Sequence, residues 1–80
     1  MAKVVIYTTS ICPYCVRAKM LFQRKGVSYE EIDVSRDNDL RLKLMQQTKQ
    51  RTVPQIFINE QHIGGCDDLE KLDKQGKLKD

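Results

Sequence analysis

Val4-Val5-Ile6-Tyr7-Thr8-Thr9-Ser10-Ile11-Cys12-Pro13-Tyr14-Cys15-Val16-Arg17-Ala18-Lys19-Met20 joins a short apolar run to a helical pattern through two cysteines. The apolar run reads as a buried-type strand from Lys3 to Tyr7. The segment after the first cysteine reads as a helix from Pro13 to Lys25 that stops at Gly26, a natural C′ residue. With Cys12 as N-cap, Pro13 falls at N1, where its missing N–H costs nothing and its fixed φ suits the first turn. The Tyr14 and Cys15 N–H groups then point at the Cys12 sulfur. A helix start leaves N–H groups without intrahelical partners and carries the positive end of the dipole. A sulfur held there is stabilised as thiolate, the form that attacks disulfides. Cys15 lies three residues on, on the same helical face, close enough to close a small disulfide with Cys12 or to release a mixed one. The pair is a candidate redox site.

Outward from this corner the chain alternates strand and helix. Along the first helix Cys15, Ala18 and Phe22 share a face with Leu21 on its flank, and Arg17, Lys19, Arg24 and Lys25 take the solvent side. A second strand is expected from Tyr29 to Val34. A helix from Asp37 to Gln47 then places Leu40 and Leu44 inward, with Ser35 or Asp37 as its cap. After Pro54, the runs Gln55–Ile58 and Gln61–Ile63 are separated only by Asn59-Glu60, which reads as a tight antiparallel hairpin. Asp67-Asp68-Leu69-Glu70 is a capping-box-like start to a last helix, with Leu69 and Leu72 facing in before Gly76 ends it. This order predicts an α/β fold: a four-stranded mixed sheet flanked by three helices (βαβαββα). Its first two strands are expected to pair in parallel through a right-handed crossover, with helices on both faces. The Cys12–Cys15 corner then sits at a strand's carboxyl end, where open α/β sheets bind ligands. A second helix start at Asp67-Asp68 and the turn at Thr52-Val53-Pro54 are expected to converge on the same place.

The 80 residues suit one domain, 1–80, with a core only just large enough to hold itself together. With 40% hydrophobic and 31% charged residues the composition is that of an ordinary soluble globule. Fourteen basic against eleven acidic residues give +3, well short of a nucleic-acid footprint. No apolar run approaches membrane-spanning length and no signal or transit peptide is read, so the expected location is cytoplasmic, without a membrane partner. Three cysteines in a compartment that keeps thiols reduced argue against a disulfide framework and for catalytic or metal use.

Cys12-Pro13-Tyr14-Cys15, Thr52-Val53-Pro54 and Gly64-Gly65-Cys66-Asp67-Asp68, in this order and at these separations, closely resemble the dithiol glutaredoxins. The resemblance covers nearly the whole chain. It implies a thioredoxin-like fold and a glutathione-dependent thiol–disulfide oxidoreductase, with glutathione as reductant and no metal. Cys12 would be the nucleophile and Cys15 the resolving thiol. Pro54 would be the family's cis-proline, an uncommon bond. Val53 beside it, with Thr52, would pair with the peptide of glutathione. Gly65, Cys66, Asp67 and Asp68 would hold the γ-glutamyl end, Tyr14 would shield the disulfide, and Arg41 would contact the glycyl carboxylate. Implied partners are glutathione and glutathionylated or disulfide-containing proteins, met by a monomer. The ligand's chemistry fits these residues independently. Glutathione carries two carboxylates and an ammonium, so its site needs N–H groups or Arg for the former and a carboxylate for the latter.

The chain departs from the family pattern in three places. Thr8-Thr9-Ser10-Ile11 lacks the lysine that many glutaredoxins carry before the first cysteine, so thiolate stabilisation rests more on the helix terminus, with Arg51 or Lys49 as substitute charges. Thr48-Lys49-Gln50-Arg51 lacks the usual glycine, so a non-glycine residue is expected in a left-handed conformation, at a cost of about 1 kcal/mol. The chain stops at Lys79-Asp80, before the longer last helix of many relatives, from which modest stability is expected.

Several residues carry plainer readings. Cys66 reads as a small buried hydrophobe whose backbone can still meet a ligand. His62, in a hairpin strand, reads as a solvated surface histidine. Asp67 and Asp68 also suit simple helix caps, and Gly64-Gly65 a strand-ending turn. Arg41 also suits a solvated helix face. Two rival functions remain open at this point: a zinc site of Cys12, Cys15, His62 and Cys66, and an iron–sulfur cluster held by Cys12 and glutathione from two subunits. Pro13 at N1 fits a capping thiolate better than a zinc knuckle, and cluster carriers that resemble this chain usually have Gly-Phe-Ser inside the motif.

Overall fold

In the computed structural model, which describes residues 3–50 and 52–76, the first apolar run is strand β1 (Val4–Thr8), burying Val4, Ile6 and Thr8 in alternation. Helix α1 (Pro13–Lys25) comes next, with Cys12 as its N-cap. It ends in a Schellman arrangement: Gly26 takes φ 69°, its N–H donates to the Gln23 carbonyl, and the Val27 N–H donates to Phe22. Strand β2 (Glu30–Asp33), helix α2 (Asn38–Thr48), strands β3 (Gln55–Ile58) and β4 (Gln61–Gly64), and helix α3 (Cys66–Lys74) complete the chain. The strands lie in the order β2-β1-β3-β4. β1 pairs in parallel with β2 and antiparallel with β3, which pairs antiparallel with β4. The expected mixed four-stranded sheet with three helices is therefore present.

Period-two alternation sorts the sheet's two faces. On one, Val4, Ile6 and Ile56 meet Ala18, Leu21 and Phe22 of α1 and Leu69 of α3 in the main core. On the other, Val5, Tyr7 and Phe57 share a groove with Gln47 of α2. Tyr7 and Phe57 meet edge to face there, with ring centres 5.7 Å apart. Of the two leucines expected to face inward from α2, Leu44 is buried and Leu40 half-buried.

Element ends differ from the sequence expectation where side chains capture backbone groups. β2 is shorter than Tyr29–Val34 because Tyr29 packs on Phe22 outside the ladder. Val34, fully buried, gives its N–H to the Thr8 carbonyl beyond the last strand residue. Asp37 caps α2, accepting from the Leu40 N–H at 3.0 Å. Ser35 is withdrawn from that role because its N–H and hydroxyl both donate to the Asp33 carboxylate. α3 begins at Cys66 with Gly65 as cap, two residues before the expected cap Asp67, and Asp68 rather than Glu70 closes the box by accepting from the Gly65 N–H. Lys49 takes φ 63°, the left-handed non-glycine residue expected in the loop after α2. Arg51 and residues 77–80 lie outside the described residues. Among the described residues no helix is long and apolar enough to cross a membrane.

One polar cluster ties β1, β2 and α1. The Glu31 carboxylate accepts from the Thr8 hydroxyl at 2.8 Å and from the Lys19 ammonium at 3.1 Å. These two bonds, Thr8 first, hold its carboxyl below the ordinary value of 4.5. The stabilisation is thus present above that pH and is lost as pH falls through the lowered value. Glu31→Gln should lower stability at neutral pH by about 0.5–1 kcal/mol, discounted for solvent screening. The deficit should shrink at acid pH, as read from urea midpoints across a pH series. At the hairpin, Asn59 and Glu60 both take positive φ, 51° and 69°, as a two-residue primed turn demands. Glu60→Gly should therefore raise stability by about 0.5–1 kcal/mol, seen as a higher melting midpoint.

Candidate active site

β1 runs in the middle of the sheet and delivers residues 9–12 to its carboxyl-end rim, where α1 begins. Cys12 sits there with extended backbone, φ −154° and ψ 98°. Its sulfur accepts from the Cys15 N–H at 3.1 Å, so the cap that Ser, Asp or Asn usually supplies is here a sulfur. Cys12 and Cys15 are joined as a disulfide, with Cα atoms 5.2 Å apart. The two sulfurs differ in access. Cys15 is 1% exposed, facing the core from the first turn, whereas Cys12 is half-exposed at the rim. An incoming sulfur can reach only Cys12.

The Val53–Pro54 peptide bond is cis, as expected for Pro54. It brings the turn before β3 against the dithiol, with the Val53 carbonyl oxygen 3.8 Å from Cys12 Sγ. Beside it opens a cavity of about 390 Å³, lined by Tyr14, Gln50, Thr52, Val53, Pro54, Gly65, Cys66, Asp67 and Asp68. The three segments expected to converge do meet. Tyr14 is half-exposed over this cavity, with the Arg17 guanidinium 5.7 Å from its ring centre.

The α3 side of the cavity is built by two glycines with different duties. Gly64 takes φ 126°, and a Cβ there would collide with the Asp68 carboxylate, so only glycine fits. Gly65 lines the cavity itself, and its N–H donates to Asp68 at 3.2 Å. Asp68 thus serves as a closing cap and a cavity wall together. It and Asp67 set two carboxylates at a helix N-terminus, beside N–H groups that attract anions. Cys66 is 4% exposed, and burial pushes its thiol up, with Glu70 and Asp67 adding to the effect and Arg17 opposing it. It remains a protonated thiol at neutral pH, in keeping with its reading as a small buried hydrophobe.

Two residues fall elsewhere. Arg41 is half-buried on α2, its Nε without a partner among the described residues, and does not line the cavity. His62 is half-buried rather than fully solvated: its ring packs on Phe57 with centres 5.1 Å apart, because the β4 register turns it onto a sheet face that carries aromatics. Among the described residues no three His, Cys, Asp or Glu side chains gather to hold a metal ion, so the Cys12, Cys15, His62 and Cys66 set is not assembled. Gln50 is the lining residue that sequence reasoning missed. It belongs to no motif, and its only signal was its place just before Thr52-Val53-Pro54.

Two sulfurs that pair within one helical turn, only one of them reachable, have exchange with another disulfide open to them. On a sheet of this order, that chemistry defines a thiol–disulfide oxidoreductase of thioredoxin-like fold. The glutaredoxin family model matches residues 4–63. A glutaredoxin of Pseudomonas aeruginosa is 55% identical over 78 residues, covering 98% of this chain and 93% of that one. Glutaredoxin 3 of Escherichia coli is 51% identical over 78 residues, covering 98% and 94%. Among solved structures, a buckwheat glutaredoxin–glutathione complex superposes with a TM-score of 0.89 at 39% identity, over 96% of this chain and 73% of that one. The chain belongs to the glutaredoxin family, whose members are glutathione-dependent thiol–disulfide oxidoreductases.

Because Gly64 carries both a positive φ and the close approach of Asp68, Gly64→Ala should cost about 1–3 kcal/mol of stability. It should also displace the Asp68 carboxylate from the Gly65 N–H. Thermal melts and the amide shift of Gly65 check the two effects.

Proposed function

We propose that this protein reduces protein–glutathione mixed disulfides and protein disulfides, with the cavity beside Cys12 receiving the glutathione moiety. The observation that carries this reading is the unequal access of the two sulfurs, Cys12 half-exposed beside Val53 of the cavity wall and Cys15 buried. Glutathione is a small peptide with a carboxylate and an ammonium at its γ-glutamyl end. The α3 N-terminus offers N–H groups for the carboxylate, and Asp67 with Asp68 offers anionic oxygens for the ammonium. The Thr52–Val53 backbone beside the cis-proline is suited to pair with its peptide, and Tyr14 to cover the sulfur. Arg41 is assigned the glycyl carboxylate on family resemblance alone.

In the first step the Cys12 thiolate attacks the glutathione sulfur of the mixed disulfide. A Cys12–glutathione bond forms, the protein–glutathione bond breaks, and the protein sulfur leaves as thiolate and takes up a proton. A second glutathione thiolate then attacks the same glutathione sulfur, releasing oxidised glutathione and restoring the Cys12 thiolate. The Cys15 N–H stabilises that leaving sulfur. For a substrate with an internal disulfide, Cys12 instead forms a mixed disulfide with the protein. Cys15 displaces the substrate thiol by closing the Cys12–Cys15 bond, and two glutathiones reopen it. Only this second route needs Cys15. The protein works in this reading as a monomer in the cytoplasm, as a single domain.

The test is turnover of a glutathionylated model peptide with glutathione as reductant. Cys12→Ser should lose activity by at least about a thousandfold, the scale on which removing a nucleophile acts. Cys15→Ser should keep a substantial fraction, while losing the ability to reduce an internal protein disulfide. A parent protein without glutathione-dependent turnover would sink the proposal.

A further inference from the structure

Gln55 opens β3 directly after the cis turn and is 1% exposed, an unusual degree of burial for a primary amide. It pairs with Tyr7 across the β1–β3 ladder and alternates with the core residue Ile56, so its side chain stands on the sheet face away from the main core. The amide Nε2 donates to the Gln50 carbonyl at 2.9 Å. Its Oε1 is buried and meets no donor among the described residues. Turning the amide over would set Oε1 against the Gln50 carbonyl oxygen, so the partner dictates the orientation.

A buried amide that leaves its acceptor unused costs stability, and an apolar side chain of similar shape would avoid that cost. Stability therefore does not account for a glutamine here, whereas the group it holds does. Gln50 lines the cavity together with Thr52, Val53 and Pro54. Its backbone is held on both sides: the N–H donates to the Thr48 hydroxyl at 3.3 Å, and the carbonyl accepts from Gln55. The Thr48 hydroxyl is itself fixed, donating to the Leu44 carbonyl at 2.9 Å on the last turn of α2. With Lys49 in a left-handed conformation and no glycine to shape this loop, side chains set its path.

We infer that Gln55 is a positioning residue for glutathione: by holding the Gln50 carbonyl it sets how far the loop wall of the cavity, Gln50 with the Thr52–Val53 backbone, stands from the α3 terminus at Asp67 and Asp68. The inference rests on the reading that this cavity receives glutathione. Gln55 touches neither the sulfur nor the ligand, so it governs how well glutathione is held and leaves sulfur exchange unchanged.

The experiment compares the full-length parent with Gln55→Met, which keeps the shape and removes the donor, and Gln55→Glu, which sets an acceptor against the Gln50 carbonyl. Steady-state kinetics in glutathione are read beside melting midpoints and backbone amide shifts. Gln55→Met should melt at or above the parent temperature, raise KM for glutathione about fivefold, the scale of one neutral hydrogen bond, and leave kcat within about twofold. The amides of Gln50 and Thr52 should move, and those of Asp67 and Asp68 should not. Gln55→Glu should raise KM at least as far. An unchanged KM in Gln55→Met overturns the inference, as does a melting midpoint that falls with activity or a failure to fold, since each marks a merely structural residue. A parent without saturable glutathione dependence overturns the reading of the cavity itself, and the inference with it.

Discussion

The hydrogen bond from the Cys15 N–H to the Cys12 sulfur, 3.1 Å long at the start of α1, is the contact on which the site depends. It makes one sulfur a helix cap, so the helix's unpaired N–H groups and dipole act on the atom that does the chemistry. It also separates the roles of two identical side chains. The cap position leaves Cys12 at the rim, and the helical repeat carries Cys15 into the core. The segment before Cys12, Thr8-Thr9-Ser10-Ile11, carries no charged side chain.

That cap stays in register with the rest of the cavity because α1 is seated on the sheet by apolar packing. Ala18, Leu21 and Phe22 lie against Val4, Ile6, Ile56 and Leu69. Arg17–Glu70 and Lys25–Asp73 also join α1 to α3. Arg17–Glu70 is well exposed and Lys25–Asp73 partly so, and solvent screening leaves such pairs little to contribute, so the core sets the helix spacing. The same core bounds the cavity from below, since Cys66 and Leu69 anchor the first turn of α3 whose outer residues, Asp67 and Asp68, face the opening.

The third cysteine and the histidine show how placement removes a chemistry that composition permits. Cys12, Cys15, His62 and Cys66 have the donor types of a zinc site. The β4 register sends His62 to stack on Phe57, and burial keeps the Cys66 thiol protonated. The one sulfur left accessible lies against Val53, a wall residue of the cavity bounded by a helix terminus and a cis-proline turn.

Short-range physics was legible in the amino-acid sequence itself. Capping chemistry marked Cys12 and Gly26, apolar runs marked β1 and the hairpin strands, and the element order marked the segments that meet, with Cys12-Pro13-Tyr14-Cys15, Thr52-Val53-Pro54 and Gly64–Asp68 carrying the family resemblance. The missing glycine after α2 even foretold a left-handed residue, found at Lys49. Tertiary structure alone decided the meetings between side chains and backbone that no period encodes. Ser35 turned to Asp33 and left the cap of α2 to Asp37, Asp68 reached back to close on Gly65, and Arg41 settled away from the cavity. Gln55 reached Gln50 across the proline turn. Local pattern reports which backbone groups one segment can satisfy by itself. Which remaining donors and acceptors find each other is settled only when loops and sheet faces are brought together in the folded chain.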